Sequence, residues 1–223
     1  MKRSYSVLLA TALIVAGAMA FKPKPVDVND FTMVGEKVKL IEEPATWAFD
    51  AKHSNVAFNV NYMAIAQVSG RFTTAKGTME SSKADFSDAK IQFTIDAASI
   101  DTDDAGRDKH LQADDFFNAE KYPTITFTST SFKPLGNNKY ELTGDLTVRD
   151  ITKPITFEVK HGGNVKDARG NTRAGFMARG EINRFDYGIK WDSKTPEGGL
   201  VVDEDVEIVL NIQMRQAAAK PQS

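Results

Sequence analysis

Arg107 and His110 are the residues of this sequence whose types and spacing are best suited to acid–base chemistry. They lie three positions apart in a predicted short helix, so they share one face of it with Leu111. A fixed positive charge beside a titratable group is suited to a small polar substrate or to the polar head of a larger ligand. One interpretation of the sequence is therefore an enzyme that acts on a small substrate through Arg107 and His110.

The histidines do not predict a metal site. The chain has three, His53, His110 and His161, and they are far apart in the sequence, without the i, i+4 spacing of a helical zinc pair. The sequence also contains no Gly-x-Ser-x-Gly motif and no glycine-rich phosphate loop. We therefore predict no metal, no cofactor and no catalytic residue.

Three acidic residues before the predicted helix favour a structural role. Asp101, Asp103 and Asp104 lack the glycine and the terminal glutamate of a calcium-binding EF-hand loop. Asp103 or Asp104 is suited to be the N-cap, where a carboxylate accepts from free backbone N–H groups and meets the helix dipole favourably. Arg107 is equally suited to fixing this helix through a nearby carboxylate.

Most of the chain around this helix is predicted to form β-strands. From Trp47 onward, apolar and polar residues alternate with a period of two in about nine segments joined by mostly short links. Residues 63–67 are predicted as a helical turn, and residues 161–164 as the start of a polar loop. Strands and helices do not alternate, which leaves an antiparallel sandwich or a closed barrel. Long strands with glycines on their apolar face favour the barrel.

The apolar faces of these strands are predicted to point inward. Phenylalanines occupy the middle of the strands rather than two belts at their ends, as a membrane barrel would require. A barrel of about eight strands either fills with side chains or holds one slender ligand. Small residues on the inward face, Gly144, Ala178 and Gly180, would leave space for a ligand. From the residues alone, a cavity and a solid core both remain open.

The N-terminal segment predicts export. Lys2 and Arg3 precede an apolar run at residues 7–16, and small residues precede a cleavage position near Ala20. We therefore predict a signal peptide at 1–20, a linker or tether at 21–43, the barrel at 44–215 and a disordered tail at 216–223. The apolar run is too short for a stable membrane span. The predicted localisation is periplasmic or secreted.

Charge and cysteine content add two further expectations. The formal net charge is −2 with acids and bases interspersed, and loss of Lys2 and Arg3 would make it −4, so we predict no nucleic-acid partner. The chain has no cysteine, so its stability must come from a hydrophobic core rather than from disulfides.

Several separated motifs resemble the signature of the YceI-like family. The resemblance runs in unbroken order from about residue 46 to residue 214. It is carried by His53-Ser54, Gly70-Arg71-Phe72, Ser99-Ile100-Asp101-Thr102, Arg107-Asp108-Lys109-His110-Leu111, Asp115-Phe116-Phe117, Tyr122-Pro123-Thr124-Ile125-Thr126-Phe127, Gly144-Asp145-Leu146-Thr147-Val148-Arg149, Ile182-Asn183-Arg184 and Asp186-Tyr187-Gly188. Two positions depart from the family pattern, which often has a histidine where this chain has Tyr62 and a glycine where it has Asp150.

The resemblance implies a fold and a function. The fold would be all-β, a lipocalin-like antiparallel up-and-down β-barrel of about eight strands with one helical insertion. The function would be binding of a long amphiphile, such as a polyisoprenoid, an isoprenoid quinone or a fatty-acid-like lipid, in an apolar lumen. Such a protein would be exported to the periplasm and would serve as a carrier, a store or a stress-protective binder. The family brings no catalytic residues, so none is carried over to this chain.

On this reading we predict two groups of ligand-binding residues. The lumen group consists of Phe58, Val60, Phe72, Phe93, Ile95, Phe127, Phe157, Phe176 and Trp191. The polar group at the mouth consists of Arg107, His110 and Tyr62. The expected partner is a long-chain isoprenoid or similar lipid, and the sequence leaves a homodimer open.

Overall fold

The computed structural model describes residues 45–196 and 198–217. The described chain contains eleven strands, one α-helix and two short 3-10 helices. They are β1 (Ala45–Phe49), β2 (Asn55–Tyr62), β3 (Ala66–Phe72), β4 (Ala75–Ser81), β5 (Lys90–Asp96), β6 (Ile100–Asp101), α1 (Ala105–Leu111), β7 (Thr124–Gly136), β8 (Lys139–Val148), β9 (Ile151–Lys166), β10 (Thr172–Asn183) and β11 (Val202–Gln216), with 3-10 helices at Ala97–Ser99 and Arg184–Tyr187. The predicted signal peptide and linker, and the predicted tail beyond residue 217, lie outside the described residues.

The strands form one closed antiparallel barrel. From β7 to β11, each strand pairs with the next along the chain. β1 and β2 pair with successive parts of β11, β1 also pairs with β4, and β2 pairs with β3. β5 joins β4 to β7 and completes the closure. Three positions of the eight-stranded wall are therefore long strands broken in two, as β1/β2, β3/β4 and β5/β6, which explains why eleven strands are found.

This architecture confirms the predicted all-β barrel with one helical insertion. Phenylalanine and aliphatic residues at every second position of β7, β8, β9 and β10 are buried inside the barrel, while their neighbours are mostly more exposed. The inward direction of the apolar faces follows from this alternation. The buried side chains form one continuous core.

Two local predictions are wrong. Residues 63–67 do not form a helical turn: Ile65 N donates to Tyr62 O at 3.2 Å in a tight hairpin turn, and β3 already begins at Ala66. Residues 161–164 do not begin a loop, because β9 continues through them to Lys166. The pairing with β10 shifts between Gly175 and Phe176, and this bulge is the irregularity that the glycine-rich sequence signals.

The helix α1 is fixed by the residues on either side of its start. Asp104 is the N-cap, and its carboxylate accepts from Arg107 N at 3.0 Å. Asp108 Oδ1 accepts from both the backbone N–H and the hydroxyl of Thr102, at 2.9 and 2.6 Å. The helix is only seven residues long, and none of the described helices is long and apolar enough to cross a membrane.

Candidate ligand cavity

The barrel encloses an apolar cavity of about 220 Å³. Its exposed wall is apolar throughout and is built by side chains from nearly every strand together with the segment that follows α1. A dry apolar cavity of about 150 Å³ already accommodates benzene, whereas pockets for drug-sized ligands usually measure about 300–1,000 Å³. The lumen therefore suits a slender apolar chain better than a bulky or polar molecule.

Eight of the nine predicted lumen residues line this cavity. They are Phe58, Val60, Phe72, Phe93, Ile95, Phe127, Phe157 and Phe176. The ninth, Trp191, does not. Its ring packs on Phe116, with ring centroids 5.3 Å apart, and it is Phe116 that lines the cavity. Trp191 lies in a loop rather than on a strand, so no alternation pattern indicated which side of the wall it occupies.

The sequence suggested that the small residues on the inward face leave space for a ligand, but not all of them do. Gly180 is covered by a phenylalanine ring: a Cβ added there would lie 2.7 Å from Phe157 Cδ1. Gly144 is covered in the same way by Phe127, and Gly77 by Phe93. The glycines therefore let aromatic rings lie flat against the wall, and the cavity is the space that these rings leave along the barrel axis.

One end of the barrel, which we call the plug end, is closed by aromatic side chains. Phe86 comes from the turn between β4 and β5, is buried at a positive φ of 56°, and lies between the rings of Trp47, His161 and Phe176. His161 Nε2 donates to Asn164 Oδ1 at 2.9 Å. Burial lowers the pKa of His161, and its hydrogen bonds oppose this only in part.

The other end, which we call the helix end, carries α1 and the β8–β9 turn. Leu111 at the end of α1, with Phe116 and Phe117 just after it, lines the cavity together with Tyr187 of the second 3-10 helix. Burial raises the pKa of Tyr187 to about 12, and the surface that Tyr187 presents to the cavity is apolar. Tyr187 was not predicted as a lining residue, because a 3-10 helix has no period of two.

Arg184 holds the loop at the helix end together. It is buried, and its guanidinium donates to four backbone oxygens at 2.7–2.9 Å. These oxygens belong to Ile189, Trp191, Val202 and Asp203. The pKa of Arg184 is lowered chiefly by burial, against the opposing effect of nearby carboxylates. A planar fork of five N–H donors is suited to such a set of acceptors, which a lysine cannot match.

A second arginine joins the helix segment to the same loop. Arg149 Nη1 donates to Phe116 O at 2.8 Å and to Gly188 O at 2.9 Å. It stands in a two-residue turn with Asp150, and both residues have positive φ. Arg149 and Arg184 were quoted from the sequence only as parts of motifs, and their role became visible from the hydrogen bonds alone.

The predicted polar group at the mouth does not converge on the cavity. The Arg107 guanidinium donates to Thr102 Oγ1 and Thr102 O at 2.7 and 2.6 Å, so it fixes the start of α1. His110 Nε2 lies 2.7 Å from Asp115 Oδ2, and its ring contacts Trp191 edge-on. Tyr62 is part of the exposed β2–β3 turn. None of the three lines the cavity.

The described residues contain no cluster of three or more His, Cys, Asp or Glu side chains that could hold a metal ion. The exposed wall of the cavity is apolar: Arg184 belongs to its lining, but the guanidinium of Arg184 donates to backbone oxygens of the loop at the helix end. The arrangement can therefore sequester an apolar chain, and the residues that carried the enzyme alternative, Arg107 and His110, are engaged with Thr102 and Asp115 outside the cavity.

Fold and cavity together define a closed antiparallel β-barrel with an apolar lumen and a helical insertion at one end. The model of the YceI-like domain matches residues 47–214, which is most of the described chain. The chain is also 36% identical over 164 residues to Protein YceI of Escherichia coli, covering 74% of this chain and 82% of that protein. The protein belongs to the YceI-like family.

Solved structures agree with this assignment. The crystal structure of Burkholderia cenocepacia BcnA has a TM-score of 0.64 and 26% identity to this chain, and the match covers 74% of this chain and 98% of BcnA. A polyisoprenoid binding domain from Saccharophagus degradans, implicated in plant cell wall breakdown, has a TM-score of 0.53 and 17% identity, with 77% and 98% of the two chains covered. At that identity the second likeness shows the fold alone.

Proposed function

We propose that this protein is an exported lipid-binding barrel, not an enzyme, that holds a long amphiphile in its apolar cavity. The ligand would be a polyisoprenoid, an isoprenoid quinone or a fatty-acid-like lipid. The observation that carries the proposal is the cavity itself, whose exposed wall is apolar throughout. Such a wall favours an apolar chain and gives a polar substrate no hydrogen-bonding partner.

Burial of the chain supplies enough free energy for tight binding. Each methylene group removed from water contributes about 0.8 kcal/mol. A chain that buries ten of them would gain roughly 8 kcal/mol before the costs of ordering and association are subtracted. No charged contact with the head group is needed, in agreement with the positions of Arg107 and His110 outside the cavity lining.

The comparison with related proteins supports the same class of ligand. The name of the Saccharophagus degradans domain assigns it a polyisoprenoid, and that domain shares this fold. The predicted signal peptide supports export to the periplasm or beyond, where an amphiphile needs a binding protein to leave a membrane. We propose that the protein acts there as a carrier, a store or a protective binder of such a lipid.

One pair of variants tests the proposal directly. Phe93 lines the cavity in the middle of β5, while its neighbour Gln92 is exposed on the other face of the strand. Phe93→Arg places a charge in the lumen, and Gln92→Arg adds the same charge to the same strand outside it. Both proteins are purified from the natural host and extracted with organic solvent, and the extract is analysed by mass spectrometry.

We expect the wild type and Gln92→Arg to release a long-chain lipid and Phe93→Arg to release little or none. Circular dichroism shows whether Phe93→Arg is folded, and Ile95→Gln, a milder change in the same wall, serves if it is not. A folded lumen variant with the same lipid content as the wild type would place the ligand elsewhere. Absence of lipid from the wild type would contradict the proposal as a whole.

A further inference from the structure

Exposed apolar side chains are concentrated at one end of the barrel. Among the described residues, the large hydrophobic side chains that are exposed are Tyr62, Met63, Ile65, Leu135 and Ile151. Tyr62, Met63 and Ile65 form the β2–β3 turn, and Ile151 begins β9 next to the turn of Arg149. Only Leu135 lies at the plug end, beside the β7–β8 turn.

The β2–β3 turn belongs to the helix end of the barrel. Tyr62 is paired with Val202, and Met63 N donates to Val201 O at 2.8 Å. The carbonyl oxygen of Val202 in turn accepts from Arg184, which organises the loop at this end. Close to the turn, Val60 of β2 and Val202 of β11 line the cavity. The β2–β3 hairpin and the neighbouring strand β11 therefore form both the exposed turn and part of the cavity wall.

In the β2–β3 hairpin the only charged side chain is Arg71, near the end of β3 and far from the turn. Residues 55–70 contain no Asp, Glu, Lys or Arg, in a chain with 26% charged residues. Met63 and Ala64, neither of them glycine, stand at the tip with positive φ angles of 51° and 56°. Ile65 is 87% exposed and Met63 41%. A turn in water usually carries Asn, Asp or Gly at these positions, so this tip is built from residues that gain by leaving water.

We propose that the β2–β3 turn, residues 62–65, docks the protein on a lipid membrane surface by inserting Met63 and Ile65 among the lipids. Tyr62 would lie at the level of the head groups, where aromatic side chains with a polar end are favoured. This inference deepens the proposed function, on which it rests for its purpose: docking brings the helix end of the cavity to the bilayer that holds the lipid.

Charge and area both favour a membrane over a second copy of the chain. The loop and strand beside the turn carry charges of both signs, such as Lys194, Asp203 and Asp205, so attachment depends on apolar insertion rather than on attraction to anionic lipids. The exposed parts of Tyr62, Met63 and Ile65 together amount to less than two whole side chains. A whole side chain of this kind has an area of about 250 Å² at most. The exposed apolar area of the turn is therefore well below the about 800 Å² per partner that a stable protein interface buries.

A site-specific probe tests the docking directly. Because the chain has no cysteine, Ala64→Cys gives a single thiol at the tip and Leu135→Cys a matched thiol at the plug end. Each full-length protein is labelled with an environment-sensitive fluorophore and mixed with vesicles of zwitterionic phosphatidylcholine. We expect a blue shift and quenching by a lipid-borne quencher at position 64 only, with little change on adding salt. Because the readout is local, other segments that touch vesicles do not produce it.

A charge at the tip should abolish the signal. Ile65→Asp in the labelled Ala64→Cys protein should lower vesicle affinity by about ten- to a hundredfold, from the loss of one inserted aliphatic side chain. Leu135→Asp should leave it unchanged. No response at position 64, or equal responses at both positions, would overturn the docking.

A second copy of the chain is the competing partner for this surface. β3 pairs with β6 only at Arg71 and Phe72, so the rest of its outer edge could pair with a strand of another copy. A probe response at position 64 that rises with protein concentration without vesicles, together with a doubled mass by light scattering, would also overturn the docking. The lipid extract separates this inference from the proposed function. Wild-type protein that yields lipid without a vesicle response contradicts the docking alone, and protein that responds to vesicles without yielding lipid contradicts only the lumen function.

Discussion

A single methyl group at Gly77 should push an aromatic ring into the cavity. Gly77 in β4 is paired with Phe93 in β5, and the ring of Phe93 lies flat over the glycine. A Cβ at position 77 would lie 2.5, 2.6 and 2.7 Å from three atoms of this ring. Normal carbon contacts are about 3.5–4.0 Å, so in Gly77→Ala the ring must move by roughly 1 Å, and the free direction is toward the lumen.

The movement of the Phe93 ring should lower the free energy of unfolding. Overpacking of a well-filled wall by a methyl group typically costs about 1–3 kcal/mol. For a domain of this size, that corresponds to a fall in melting temperature of about 2–12 °C. Phe93 also contacts Phe49, with ring centroids 5.3 Å apart, so its movement is transmitted to β1.

Gly175→Ala is the matched control. Gly175 also lies in a strand, but a Cβ at this position meets no atom within 4 Å. The same substitution there should leave the stability unchanged or raise it by up to about 1 kcal/mol, because alanine restricts the unfolded chain. Calorimetry measures the melting temperatures, and solvent extraction measures the lipid bound. If Gly77→Ala matches Gly175→Ala in both stability and lipid content, the wall is not packed as described.

Two further predictions concern the ends of the barrel. Burial lowers the pKa of His161 from 6.5, so as the pH drops the unfolded chain takes up the proton of this histidine before the folded chain does. The free energy of unfolding should therefore fall between about pH 6.5 and the lowered pKa. Urea titrations should show a flatter dependence of this free energy on pH for His161→Gln, and the same dependence as in the wild type would contradict the burial of a neutral His161. Arg184→Lys should lower the free energy of unfolding by about 1–3 kcal/mol, since one ammonium cannot serve the four carbonyl oxygens to which the buried guanidinium donates. Amide exchange at residues 189–203 should accelerate, and exchange at the wild-type rate would show that Arg184 does not hold the loop.

The strands and their inward faces were predictable because a half-buried strand imposes a period of two. Phe93 and Phe157 show this clearly, since each alternates with polar neighbours and lines the cavity. That β1 and β2 occupy one position of the wall was not predictable, because this follows from the pairing of both with β11, far along the chain. Alternation tells which side a residue takes, not which distant strand it meets.

Residues outside the strands were harder to place. Phe86 lies outside every alternating segment, yet it closes the plug end at a positive φ that sequence patterns rarely assign to phenylalanine. Arg107 and His110 share a helix face as expected, but that face does not line the cavity, because Thr102 and Asp115 engage them. A short helix fixes which residues are neighbours, and the packing of its whole segment decides what they face.

The hydrogen bonds of Arg184 at the helix end could not be predicted from the sequence. Arg184 donates to four carbonyl oxygens spread over residues 189–203, a set that exists only once β11 has returned beside β10. In the sequence, an arginine after a strand suggests a surface charge. Its burial was therefore not predictable from the residues around it.

Native mass spectrometry of the intact protein, purified from its own host without added lipid or detergent, tests the central claim most directly. We predict a species heavier than the polypeptide by the mass of one long-chain amphiphile, which is lost on collisional activation and identified by fragmentation. Detection of the bare polypeptide alone in repeated preparations, or of a small water-soluble molecule in place of a lipid, would contradict a lumen built to hold an apolar chain.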